Sequence, residues 1–141
     1  MLDDLGIITT IGWFCRDFEK TYESICIKQQ MGIEEADIPE PLKIVIFRIV
    51  QEALNNIAKH SGAELVDLCL EKRDGRIELA IEDNGAGFDV DSALAKSSHD
   101  KGLGIAGMKE RTELSGGTFC IESVISEGST IHAVWPMQHH F

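Results

Sequence analysis

Val66-Asp67-Leu68-Cys69-Leu70-Glu71-Lys72-Arg73-Asp74-Gly75-Arg76-Ile77-Glu78-Leu79-Ala80-Ile81-Glu82-Asp83 is the most informative stretch of the chain. Two alternating runs, Val66–Leu70 and Ile77–Ile81, flank an Asp-Gly pair. A period of two puts one face of each run against a core and the other in water. Asp74-Gly75 supplies the residue types that a two-residue hairpin turn demands. A hairpin with one apolar face needs a covering layer, and the neighbouring segments must provide it.

The segment upstream does so. Over residues 41–60, Ile46, Ile49, Ala53 and Ile57 fall within an arc of about 80° at helical spacing. Glu52, Asn56 and Lys59 fall within a separate arc of about 60°. Pro39-Glu40-Pro41 suits the start of this helix and Ser61-Gly62 its end. Earlier still, Leu2, Leu5, Ile8, Ile11, Cys15, Phe18 and Tyr22 predict a helix over 2–22, although Gly6 and Gly12 weaken it. A short strand is expected around Ser24–Lys28, followed by an acidic connection from Gly32 to Pro41. Downstream, helical spacing resumes at Ile105, Met108 and Leu114 and stops at Gly116-Gly117. Thr118–Val124 and Thr130–Trp135, around a turn at Ser126-Glu127-Gly128, read as a second hairpin. The expected fold is an α/β (α+β) two-layer sandwich: a mixed, mostly antiparallel sheet covered on one face by helices. Strictly alternating β–α units, which would build a parallel nucleotide fold, are absent.

Composition narrows the function. With 24 acidic and 13 basic side chains the formal charge is −11, which argues against a nucleic-acid binder working through a broad basic surface. No apolar run approaches the ~18 residues of a membrane span. Cys15, Cys26, Cys69 and Cys120 form no Cys-x-x-Cys pair and are expected to be reduced thiols. At 141 residues the chain is long enough for one self-sufficient core.

Four constellations carry chemistry. Glu52 and Asn56, at i and i+4, lie side by side on one helix face. An Asn carbonyl is a hard oxygen ligand for Mg²⁺ that adds no negative charge beside phosphates, and a neighbouring Glu can act as a base. Alone, the pair reads more readily as a solvated helix face. Asp83-Asn84-Gly85-Ala86-Gly87 ends a strand with a carboxylate and two glycines. The carboxylate can accept a hydrogen bond from an exocyclic amine such as adenine N6, though Asp-Asn-Gly is also ordinary turn sequence. Gly102-Leu103-Gly104-Ile105-Ala106-Gly107 opens a helix, where backbone N–H groups can face phosphate oxygens. It also spells the dinucleotide fingerprint, with Glu122 at 20 residues from Gly102, but the preceding Ala95–Asp100 is no strand, so that reading fails. Glu127-Gly128-Ser129-Thr130 places two hydroxyls at the mouth of the last hairpin.

In this order the four constellations resemble the ATP-binding module of sensor histidine kinases, in the GHKL superfamily shared with gyrase and mismatch-repair ATPases. The resemblance covers residues 24–136. Phe47–Asn56 with Lys59-His60-Ser61, and Gly102–Arg111, are similar to the asparagine and glycine boxes of the NarX/DesK branch, and the stretch from about Phe88 to Lys101 has that branch's short lid length. Leu2-Asp3-Asp4-Leu5-Gly6 looks like the tail of its helical dimerisation domain.

The resemblance implies residue roles. Asn56 would ligate Mg²⁺ with Asn55 beside it, and Glu52 would be the base. Lys59 and His60 would lie near the phosphates. Asp83 would read adenine, with Gly85 and Gly87 giving backbone access. Lys101, Gly102, Leu103 and Gly104 would bring the lid to the phosphates, and Ser129 and Thr130 would lie near the adenine. Residues 1–22 would then be the end of the dimerisation helix and a linker, 23–137 the catalytic domain and 138–141 a tail. None of His60, His99, His132, His139 or His140 has the acceptor's setting before an acidic residue on a dimerisation helix. The expectation is therefore a C-terminal piece of a longer, homodimeric cytoplasmic kinase, whose membrane anchoring the sequence leaves open. It would bind Mg-ATP, phosphorylate a histidine on its own dimerisation domain and serve a LuxR/NarL-type response regulator. The alternatives are an anti-sigma-factor-type serine kinase and a non-catalytic GHKL module.

Overall fold

The computed structural model describes residues 6–87 and 104–137, at His60 and Ser61 for the backbone alone. Among them run α1 (Ile7–Thr21), β1 (Cys26–Gly32), a 3-10 turn (Glu35–Asp37) and α2 (Glu40–Asn56), which passes into a π turn (Ile57–Ser61). Then follow β2 (Leu65–Arg73), β3 (Arg76–Asp83), α3 (Ile105–Leu114), β4 (Thr118–Val124) and β5 (Gly128–Pro136). The strands form one sheet in the order β1-β2-β3-β5-β4. Only the β1–β2 pair is parallel. That follows from α2 lying between those two strands, since a parallel pair requires a crossover.

The β2–β3 hairpin closes at Arg73 and Arg76 with both turn residues, Asp74 and Gly75, at positive φ, as its Asp-Gly pair predicts. Val66, Leu68 and Leu70 line up with Ile77, Leu79, Ile81, Ile131, Ala133 and Trp135 as one buried face. Three helices cover it: α1 lies against β1, α2 touches β3 between its neighbours, and α3 packs on β4. The expected two-layer, one-sided sandwich is what forms. Ile46, Ile49, Ala53 and Ile57 are all buried, as their arc predicts. The buried face of α2 also takes in Leu42, Val50 and Leu54, because the helix is flanked on both sides as well as backed by the sheet. All four cysteines are free, and burial pushes the Cys15 thiol up to about 12, with Glu19 adding to the shift.

Two elements differ from the sequence reading. The helix expected to run to residue 60 changes pitch after Asn56 into a wider turn, which ends at left-handed Gly62. The helix expected from residue 2 begins at Ile7, and Leu2–Leu5 lie outside the described residues. Gly6 has φ 81° and ψ 159°, a conformation no helix interior tolerates and few side chains allow.

What Gly6 makes room for is a carboxylate. A Cβ on Gly6 would lie 2.6 Å from the Glu35 carboxyl carbon. Glu35 accepts hydrogen bonds from the N–H groups of Ile7 (3.0 Å) and Ile8 (3.1 Å), which no helical carbonyl can satisfy. The same carboxylate pairs with Lys43 at 2.8 Å, and Lys43 also reaches Glu40 at 2.7 Å. One side chain thus ties the start of α1 to the first turn of α2. Burial opposes the charge on Glu35, but the Lys43 pair and the two N–H donors outweigh it and hold the carboxyl below its ordinary range. Since the folded value is depressed, this stabilisation is present above the unfolded value and is lost as pH falls through the folded one.

Replacing Glu35 with Gln should therefore lower stability at neutral pH by about 1–2 kcal/mol, the size of a lost helix cap. In urea titrations the gap between Glu35→Gln and the parent should close as the pH drops through the acid range. A gap that persists in acid would mean the carboxylate's charge is irrelevant.

Candidate functional site

The end of β3 carries a buried carboxylate. Asp83 is 6% exposed. Its Oδ1 accepts the Gly85 N–H at 2.8 Å, and its Oδ2 accepts the Ser129 hydroxyl at 2.6 Å across the β3–β5 pair. A carboxylate oxygen has two lone pairs, so each still has one for a ligand amine. Because Ser129 donates its proton to Asp83, its own oxygen is turned into an acceptor. The two side chains therefore offer acceptors only, which suits a donor such as an exocyclic amine.

Asn84 has a different task. Its Oδ1 accepts the N–H groups of Glu64 and Leu65, both at 3.0 Å, and so anchors the start of β2 beside Asp83. The sequence reading treated it as a turn residue only. Gly85 is buried, and the space a Gly87 side chain would fill is taken by the Val124 carbonyl of the β4–β5 turn. Gly87 thus brings two protein segments together. Thr130 does not join Asp83 and Ser129: it lies on the opposite sheet face, donating to Glu82 at 3.2 Å.

The helix above completes the site. Phe47 on one flank of α2 meets Phe14 of α1 edge-on, with ring centroids 5.8 Å apart. The opposite flank carries Glu52 and Asn56, both half-buried, and faces the start of α3. A Cβ on Gly104 would sit 2.8 Å from the Glu52 carboxyl carbon. The last turn of α2 leads into β2, whose Val66 pairs with Asp83, so the helix flank and the buried carboxylate share one end of the sandwich. Asn55 and Lys59 are exposed. Lys59 lies beyond the change of pitch, so the arithmetic that aligned it with Asn56 no longer applies. Lys101, Gly102 and Leu103, with the stretch 88–101, lie outside the described residues, as does the tail 138–141.

A polar helix flank, a helix start opposite it and an acceptor-only pair thus gather at one end of the sandwich, and groups of these kinds suit a nucleotide. Comparison with known families agrees. Residues 42–139 match the family described as histidine kinase-, DNA gyrase B-, and HSP90-like ATPase.

The chain belongs to this ATPase family. Domains of this kind bind ATP. Among curated proteins it is 34% identical over 138 residues to the signal transduction histidine-protein kinase/phosphatase UhpB of Salmonella typhimurium, covering 98% of this chain and 26% of UhpB. It is 36% identical over 138 residues to the DegS kinase/phosphatase of Bacillus subtilis, covering 96% of this chain and 35% of DegS. The chain thus spans about a quarter to a third of the relatives it matches. In fold it is similar to the histidine kinase domain of the blue-light activated kinase EL346 of Erythrobacter litoralis. There the TM-score is 0.72 at 18% identity, covering 93% of this chain and 61% of that one.

Asp83→Asn presents a donor where only acceptors stand, and should weaken ATP binding by about 1.5–3 kcal/mol, the worth of a charge-assisted hydrogen bond. Selectivity for ATP over GTP should fall with it. Ser129→Ala should cost less, about 0.5–1.5 kcal/mol. Calorimetric titration of both variants checks the order, and an unchanged affinity in Asp83→Asn would reduce Asp83 to a turn residue.

Proposed function

We propose that this chain is the ATP-binding catalytic domain of a two-component sensor histidine kinase, which delivers the γ-phosphate of Mg-ATP to a histidine on a dimerisation domain outside residues 1–141. The observation that carries the reading is that the buried Asp83–Ser129 pair lies at the same end of the sandwich as the Glu52–Asn56 flank of α2. The names of the relatives, histidine-protein kinases that also act as phosphatases, support the histidine as acceptor rather than serine.

In this reading Asp83 accepts the N6–H of adenine, and Ser129 orients Asp83 through its donated proton. No group of three His, Cys, Asp or Glu side chains able to hold a metal stands among the described residues. A site made of one Asn carbonyl plus phosphate oxygens and water fits Mg²⁺, which keeps much of its hydration and binds along with a nucleotide. Asn56 would hold it, and when bound the ion neutralises phosphate charge. Glu52 takes the proton from the incoming imidazole as the N–P bond forms and the bond to the bridging oxygen of ADP breaks. Lys59 and His60, three and four residues beyond Asn56, are proposed to lie near the phosphates.

Residues 1–22 are proposed as the end of the dimerisation helix and linker, 23–137 as the catalytic domain and 138–141 as a tail. The buried face of α1, with Ile7, Ile11, Cys15 and Phe18, gives this linker a fixed seat on the domain. The proposed partner beyond the kinase dimer is a LuxR/NarL-type response regulator, and the proposed location is the cytoplasm, where ATP is. Among the described residues no helix is long and apolar enough to cross a membrane.

Two measurements test this. Asn56→Asp or Asn56→Ala should abolish the Mg²⁺-dependent part of ATP binding while leaving the thermal transition in place. Unchanged affinity with magnesium would refute the assignment. Incubated with γ-labelled ATP, the chain by itself should gain no stable phosphohistidine. Mixed with a dimerisation segment carrying an acceptor histidine, it should label that segment, more slowly than a covalently joined kinase. Stoichiometric label on a histidine of the isolated chain would overturn the reading.

A further inference from the structure

We propose that Gly104 is a positioning residue for Glu52: its missing side chain is the seat that holds the Glu52 carboxylate at the start of α3. This rests on the reading of Glu52 as the base. The glycine box is usually a matter of backbone approach to phosphates, but at Gly104 the space a Cβ would take is filled by another residue. Besides the carboxyl carbon at 2.8 Å, Glu52 Cγ would lie at 3.1 Å and Oε1 closer than either. Gly104 caps α3 at φ 67° and ψ 15°. Gly62, Gly75 and Gly116 also have positive φ, yet a Cβ on any of them would meet nothing within 4 Å. At those three positions conformation alone calls for glycine; at Gly104 a specific partner does too.

The fold contains the same arrangement at the start of α1. There Gly6 is the cap, also at positive φ, and the carboxylate in place of its Cβ is Glu35. Glu35 is consumed by its surroundings, accepting two N–H groups and pairing with Lys43. Such ties make a carboxylate a weaker base. Contact with a Cα–H positions a carboxylate without taking up its lone pairs. A base must be held still and yet keep a lone pair for the proton, so the Gly104 seat meets a requirement that the Glu35 clasp cannot.

The test is a double-mutant cycle on this chain, read in three ways. Gly104→Ala carries a backbone penalty from its positive φ and, on this proposal, a clash with Glu52. The fall in urea midpoint caused by Gly104→Ala should be at least halved in a Glu52→Ala background, because only the clash disappears there. Phosphoryl transfer to an acceptor-bearing dimerisation segment, at saturating ATP, should fall roughly tenfold to a hundredfold in Gly104→Ala, the scale of an ångström of misplacement. The dissociation constant for Mg-ATP should move less than about threefold, since on the proposed function binding energy comes from other residues. Adding Glu52→Asp, which withdraws the carboxylate by one methylene, should restore part of the lost rate. Equal midpoint shifts in both backgrounds, with no rescue by Glu52→Asp, overturn the proposal even if Glu52→Gln is inactive. A clear stability coupling with Glu52→Gln fully active overturns instead the reading of Glu52 as the base.

Discussion

The apolar stripe of α2 against the inner face of the sheet is the contact on which the other elements depend. Each Ile or Leu it buries is worth about 1.5–3 kcal/mol of removed apolar surface. The stripe is broad enough that the helix settles between α1 and α3 as well as onto β3. That leaves α2 two flanks with unlike chemistry. Phe47 seals one against α1, while Glu52 and Asn56 lie on the other, where Glu52 meets Gly104 at the start of α3. One flank of a central helix is polar where its neighbour begins.

The end of β3 obeys a second constraint, that a buried charge must be satisfied. Asp83 meets it with a backbone N–H and a hydroxyl, both neutral donors, and with no cation among the described residues. An Arg or Lys there would have satisfied the carboxylate at the cost of its use as an acceptor. Glu35 illustrates that alternative, fully paired with Lys43 and spent on holding two helices together. The chain thus holds three acidic side chains in three ways: Glu35 as a clasp between helices, Asp83 as a buried acceptor held by neutral donors, and Glu52 as a carboxylate seated against Gly104.

Local order made much of this legible in the residues. Period-two alternation and Asp74-Gly75 place the central hairpin, and the spacing of Ile46, Ile49, Ala53 and Ile57 places the helix above it, because burial on one face imposes those periods. Gly6 shows where the arithmetic stopped. Apolar spacing runs through it from Leu2 to Tyr22, but spacing carries no information about φ, and a positive φ there starts the helix at Ile7. The π turn after Asn56 is invisible for the same reason, since a change of pitch leaves no mark on which residues are apolar.

By itself the sequence determined the one-sided sandwich, the order of its elements and the polar residue types gathered at one end of it. These follow from short-range periodicity and turn chemistry that any reader of the chain can count. Only the tertiary structure decided that Ser129, 46 residues from Asp83, donates to it while the adjacent Thr130 faces the other side of the sheet. Only it set Glu35 on the start of α1 and Glu52 on Gly104. Those pairings depend on strand register and on how three helices settle over one sheet, which are long-range outcomes of packing that no local pattern encodes.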